Sequence, residues 1–93
     1  MDDIIILLSS STNAVRMKEA LGRKGYAAKV IQTPSKLSGG GCNYSVRTSP
    51  GALPEAENII KSVNMRSRGI YLDTLSEGEH RYRKLPLGEL NGS

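Results

Sequence analysis

The sequence predicts an α+β domain with elements in the order strand, helix, strand, strand, helix, strand. Three observations carry this. The apolar run Ile4 to Leu8 holds three consecutive isoleucines. Two later stretches have apolar residues at helical spacing. Three more short stretches alternate apolar and polar residues in the manner of strands. A chain of 93 residues buries only about 60–65% of its unfolded surface, enough for one sheet and two helices but not for a two-domain cleft.

Ile4 to Leu8 is bounded by polar residues and reads as a strand buried on both faces. Ser9, Ser10, Ser11, Thr12 and Asn13 follow as candidate helix caps. Ala14, Met17 and Leu21 lie at i, i+3 and i+7, the stripe of an amphipathic helix, with Met17 as core filler and Gly25 as the stop. Tyr26, just beyond, is expected to be a packing lid. Ala28, Val30 and Ile31 make a second strand. Tyr44 and Val46 alternate with Ser45 and Arg47 in a third.

Thr48 to Gly51 reads as a turn, and Pro54 suits the first turn of a second helix. Ala56, Ile59, Ile60 and Val63 form its apolar stripe, and Glu55 and Glu57 read as a solvated helix start. Asn64 to Gly69 ends that helix. Ile70 and Leu72 alternate with Tyr71 and Asp73 in a fourth strand. Ser76 to Glu79 is a turn, after which His80 to Lys84 is expected as an extra C-terminal edge strand, with His80 solvated. The domain is assigned to residues 1–85, with 86–93 as a flexible tail. This element order is that of a ferredoxin-like βαββαβ sandwich, a four-stranded antiparallel sheet with both helices on one face.

Composition narrows the chemistry. Phe and Trp are absent, so Ile, Leu, Val, Ala, Met and Tyr must build the core. A single cysteine excludes an internal disulfide and a Cys-rich zinc site, and it suits a reducing compartment. The run Ile4 to Leu8 is too short for a membrane span or a signal-peptide core, and Asp2 and Asp3 precede it; the expected location is the cytoplasm. A net charge of +4 biases the surface mildly toward anions.

The stretch Thr33 to Asn43 contains Lys36, then Gly39, Gly40 and Gly41, then Cys42. Three successive glycines are costly to order and allow backbone to pass close to an incoming group. A right-handed crossover makes the first and second strands parallel, with the third inserted between them. The glycine loop then shares one end of the sheet with the first helix start and with the segment Arg66 to Arg68. Unpaired N–H groups of Ser10, Ser11 and Thr12, with Lys36, Arg66 and Arg68, would favour a thiolate at Cys42, and the thiolate is the nucleophilic form. The competing reading is an ordinary hairpin loop with an incidental thiol.

The small-residue loop from Pro34 through Leu37, Ser38 and Gly39 to Cys42, after a Ser/Thr-rich helix start ending in Asn13 and Ala14, resembles the selenium/sulfur (Se/S) carrier-like family of small bacterial and archaeal proteins over about residues 4–73. Ser35 followed by Lys36 stands where that family usually has arginine, and Asn43 where it usually has glycine. The resemblance implies that Cys42 takes up sulfur or selenium as a persulfide or perselenide and passes it to an acceptor. It implies a carrier rather than a stand-alone enzyme, with no metal or organic cofactor. The expected partner is a donor or acceptor such as a cysteine desulfurase or a selenophosphate-forming enzyme.

The alternative is a binding or dimeric regulatory module on the open sheet face, where Lys29, Ile31, Ser45, Arg47, Tyr71 and Asp73 fall. Tyr71 and the run Arg81 to Lys84 would suit single-stranded RNA, but the third strand lacks the aromatic signature of an RNA-recognition sheet, so nucleic acid is not the expected partner.

Overall fold

The computed structural model describes residues 2–37, 43–63 and 67–85, without the side chain of Arg68. Eight elements follow in order: β1 (Asp2–Leu8), α1 (Ser11–Arg23), β2 (Ala28–Gln32), β3 (Tyr44–Thr48), a 3-10 turn (Pro50–Ala52), α2 (Leu53–Ser62), β4 (Ser67–Ser76) and β5 (Glu79–Leu85). The strands form one antiparallel sheet in the order β2-β3-β1-β4-β5. β1 is central, and β3 separates it from β2, so β1 and β2 run parallel without pairing. The sheet has five strands, the fifth being the expected C-terminal edge strand, in which the polar run after Gly78 pairs with Ile70 to Ser76 of β4. The proposed tail 86–93 lies outside the described residues.

Alternation decides the core. Ile4, Ile6 and Leu8 of β1, Val46 of β3 and Ile70 of β4 meet Ala14, Met17 and Leu21 of α1 and Ala56 of α2 on one face. All of these are fully buried. Tyr26 packs against the edge of this cluster as the expected lid. Gly25, at φ +91°, closes α1, where the N–H of Tyr26 donates to Leu21 O at 3.0 Å and that of Gly25 to Gly22 O. A two-residue turn joins β4 to β5 with Glu77 and Gly78 both at positive φ, the backbone that keeps a tight hairpin twisted correctly.

Three expectations are corrected. Glu57 is buried, not solvated, and its Oε2 has no hydrogen-bond partner among the described residues. Val63 is 45% exposed and caps α2 rather than extending its stripe. β4 begins at Ser67, so Arg68 belongs to a strand and not to the connection before it.

The register slips between Leu7 and Leu8, which face Gly69 and Ser67 and leave Arg68 as the extra residue of a bulge. Gly69 takes φ +131°, and a Cβ there would sit 3.0 Å from Lys84 Cε. The Ser67 hydroxyl donates to Leu7 O at 2.7 Å and accepts from Gly69 N at 3.1 Å, which satisfies backbone groups that the slip displaces.

Candidate functional site

The base of the glycine loop is built by β2 and β3. Thr33 N donates to Asn43 O at 3.1 Å, and the Thr33 and Ser45 hydroxyls share a hydrogen bond of 2.6 Å. A turn follows, closed by Leu37 N to Pro34 O at 2.8 Å. Cys42 itself, with Gly39, Gly40 and Gly41, lies outside the described residues, as does Arg66. Their flanks are described. Gln32, Tyr44, Leu8 and Ser67 align across four strands, so the loop base, the end of β1 and the start of β4 share one end of the sheet as the topology argument required.

The start of α1 follows directly from that end. Ser10 is the N-cap, its Oγ accepting from Asn13 N at 3.2 Å, while Asn13 Nδ2 donates to Ser9 Oγ at 3.3 Å. The Ser10 oxygen is thus engaged in capping. Ser11 and Thr12 begin the helix, and no acidic residue in its first turn offsets the positive end of the dipole. Lys36 lines an open depression with Leu37, Tyr71, His80, Arg81 and Tyr82, on the sheet face opposite the helices.

That opposite face, the open one of the sequence reading, carries a small apolar cluster of its own. Ile5 and Leu7 project onto it and are almost fully buried, covered by Ile31, Leu37, Tyr71 and Tyr82. Ser45 and Asp73 are buried there too. The Asp73 carboxylate, 2% exposed, accepts from Arg47 Nη1 at 2.9 Å and from His80 Nδ1 at 2.9 and 3.1 Å. Arg47 Nη1 also reaches Asp3 Oδ2 at 3.1 Å. A carboxylate can only accept, so His80 carries its proton on Nδ1.

Burial works against the Arg47 guanidinium, but its hydrogen bonds and attraction to Asp73 and Asp3 outweigh that and raise its pKa above the ordinary arginine value. Burial, and then the charge of Asp73, push the Tyr82 hydroxyl above its ordinary 10.0, with Arg47 opposing. The Tyr82 ring lies parallel to that of His80, with centroids 6.1 Å apart. His80 is therefore an anchored side chain rather than a freely solvated one. No local sequence signal marks this cluster, since Asp3, Arg47, Asp73 and His80 come from four strands and only the register joins them.

Among the described residues no group of three or more His, Cys, Asp or Glu side chains is placed to hold a metal ion, and no helix is long and apolar enough to cross a membrane. Comparison with curated proteins and with solved structures gave no match. Comparison with family models matched residues 3–72 to the family described as "Putative Se/S carrier protein-like". The match runs from β1 into β4 and includes the helix start, the glycine loop and Cys42, and on that ground the chain belongs to the Se/S carrier-like family.

Proposed function

We propose that the protein carries sulfur or selenium on Cys42 as a persulfide or perselenide and delivers it to a partner. The observation that carries this reading is the family match across residues 3–72, a span that contains the chain's one cysteine. The shared sheet end supports it: the loop flanks and the uncompensated positive end of α1 lie together, and such a field favours thiolate over thiol. On this reading the protein is a transfer partner in the cytoplasm rather than a free-standing enzyme. It needs no resident metal or organic cofactor. Its partner is a donor or acceptor of the sulfur or selenium, such as a cysteine desulfurase or a selenophosphate-forming enzyme. The four strands β1 to β4 with α1 and α2 make a ferredoxin-like unit within residues 1–85, and β5 is its extension.

Intact-protein mass spectrometry tests the carrier reading. Reduced protein incubated with a cysteine desulfurase and cysteine should gain one sulfur, lose it to reductant, and gain none when Cys42→Ala is substituted. An unmodified wild-type mass, with a thiol that alkylates no faster than free cysteine, would leave the loop an ordinary hairpin connection.

A further inference from the structure

The sheet ends in two edges of different character. β5 carries Glu79, His80, Arg81, Arg83 and Lys84, the kind of charged strand that resists further pairing. β2 has one charge, Lys29, and no proline. The register fixes which of its backbone groups are taken. Thr33 N donates to Asn43 O, so Ile31 and Lys29, two and four residues back, also turn their N–H and C=O toward β3. Ala28, Val30 and Gln32 turn theirs outward, where no described residue meets them. α1 continues this margin above the sheet, lying over β2 and β3. Arg16, Ala20 and Arg23 of α1 look toward α2, and Ala14, Met17 and Leu21 toward the core. Helical spacing then leaves Val15, Lys18 and Gly22 on the flank over the β2 edge. Val15 is 44% exposed, and a Cβ on Gly22 would meet nothing within 4 Å. A bare glycine inside a helix costs stability in a lone chain, but it lets a second helix come close.

We propose that β2 pairs with β2 of a second copy of this chain, antiparallel about a twofold axis at Val30, so that two sheets become one. In that register Val30 meets Val30, Ala28 meets Gln32 and Lys29 meets Ile31. The outward backbone groups then satisfy one another, and no like charges stand opposite. Each α1 stands about half a strand spacing inside its edge, so the two helix axes lie about 10 Å apart, an ordinary helix-packing distance. They run antiparallel, which brings Val15 of each copy toward Gly22 of the other. A patch about 17 Å long and about 25 Å deep buries on the order of 1,000 Å² in all, the lower limit of a specific interface. Both copies use the same edge, so the pairing closes at two chains and leaves the charged β5 edges outermost. The two loop bases at Thr33 leave opposite ends of the joint, so the interface takes nothing from the carrier site.

The test is sedimentation velocity on the Cys42→Ala protein from about 10 μM to about 1 mM. That variant forms no disulfide-linked dimer and takes up no sulfur, so failure here is distinct from failure of sulfur loading. A reversible dimer is expected. Its affinity should fall about tenfold or more in Gly22→Arg, which fills the open flank with a charge, and in Val30→Pro, which removes an outward N–H and leaves the β2–β3 ladder whole. Circular dichroism checks that both variants fold, and Gly22→Arg, at an exposed helix position, decides the matter if Val30→Pro does not. Amide hydrogen exchange at Ala28, Val30 and Gln32 should slow together as concentration rises. A monomer at every concentration, a dimer that Gly22→Arg leaves intact, or exchange at these three amides that ignores concentration would overturn the proposal.

Discussion

The two faces of one strand are closed in different ways. On the helix side, Ile4, Ile6 and Leu8 are sealed by α1 and α2, whose backbones cannot follow a shrinking side chain. On the other side the described residues form no secondary-structure layer. Ile5 and Leu7 are nonetheless as dry, because Leu37, Tyr71 and Tyr82 fold down as a roof and Asp73, Arg47 and His80 lock its margin. Equal burial therefore conceals unequal rigidity. A roof of partly exposed side chains can settle into a gap, whereas two helices cannot.

Chemical denaturation of paired variants sharpens this contrast. Ile6→Ala, beneath the helices, should cost about 4 kcal/mol, and Ile5→Ala, beneath the roof, about 2 kcal/mol, because the cost of a cavity depends on how far its walls collapse. Equal losses would mean the roof is as unyielding as the helices. Asp73→Ala strips Arg47 and His80 of their shared partner and should cost about 2 kcal/mol. That is less than a fully buried pair would lose, since Arg47 is 29% exposed and keeps Asp3.

Ser10→Ala removes the α1 cap and should cost about 1 kcal/mol, an effect confined to the helix face. Tyr82→Phe should change little at neutral pH and show itself only in alkali. Tyr82 titrates above 10.0 in the folded protein, so the folded state holds its proton longer than the unfolded chain. Stability is then intact below pH 10 and lost as pH rises through the folded pKa. The Phe variant should show a shallower loss there; an unchanged alkaline limb would remove the Tyr82 hydroxyl from the account.

The same contrast explains what could be read in advance. Periodicity exposed the helix side: the Ala14, Met17, Leu21 stripe and the unbroken Ile4 to Leu8 run both pointed to a doubly buried central strand, and both are buried. The roof was illegible because its parts are ordinary alone. Leu37 reads as a loop residue, His80 as a solvated one, and Asp73 as the polar half of an alternation. Only the pairing of Asp73 with both Asp3 and Tyr82 brings the charged cluster together. The burial of Glu57 escapes the sequence for a similar reason, since helix-dipole logic explains its place in the first half of α2 but says nothing of which side it faces. The end of the sheet where the loop base, β1 and β4 meet followed from handedness alone, and the register agrees.

The position of β1 also sets the order of folding. It is the first strand in the chain, yet both its partners lie far downstream, β3 from residue 44 and β4 from residue 67. An emerging chain carries Ile4 to Leu8 with no strand partner until about half of its 93 residues exist, and strands that must wait for distant partners fold slowly and are exposed to misassociation in the meantime. Five consecutive aliphatic residues are the kind of segment that pairs with its own copies. Asp2 and Asp3 stand immediately before them, and a stack of identical chains would bring these carboxylates together in unfavourable ladders. In the finished sheet Asp3 finds Arg47, so a charge that guards the nascent strand becomes an ion pair once β3 arrives.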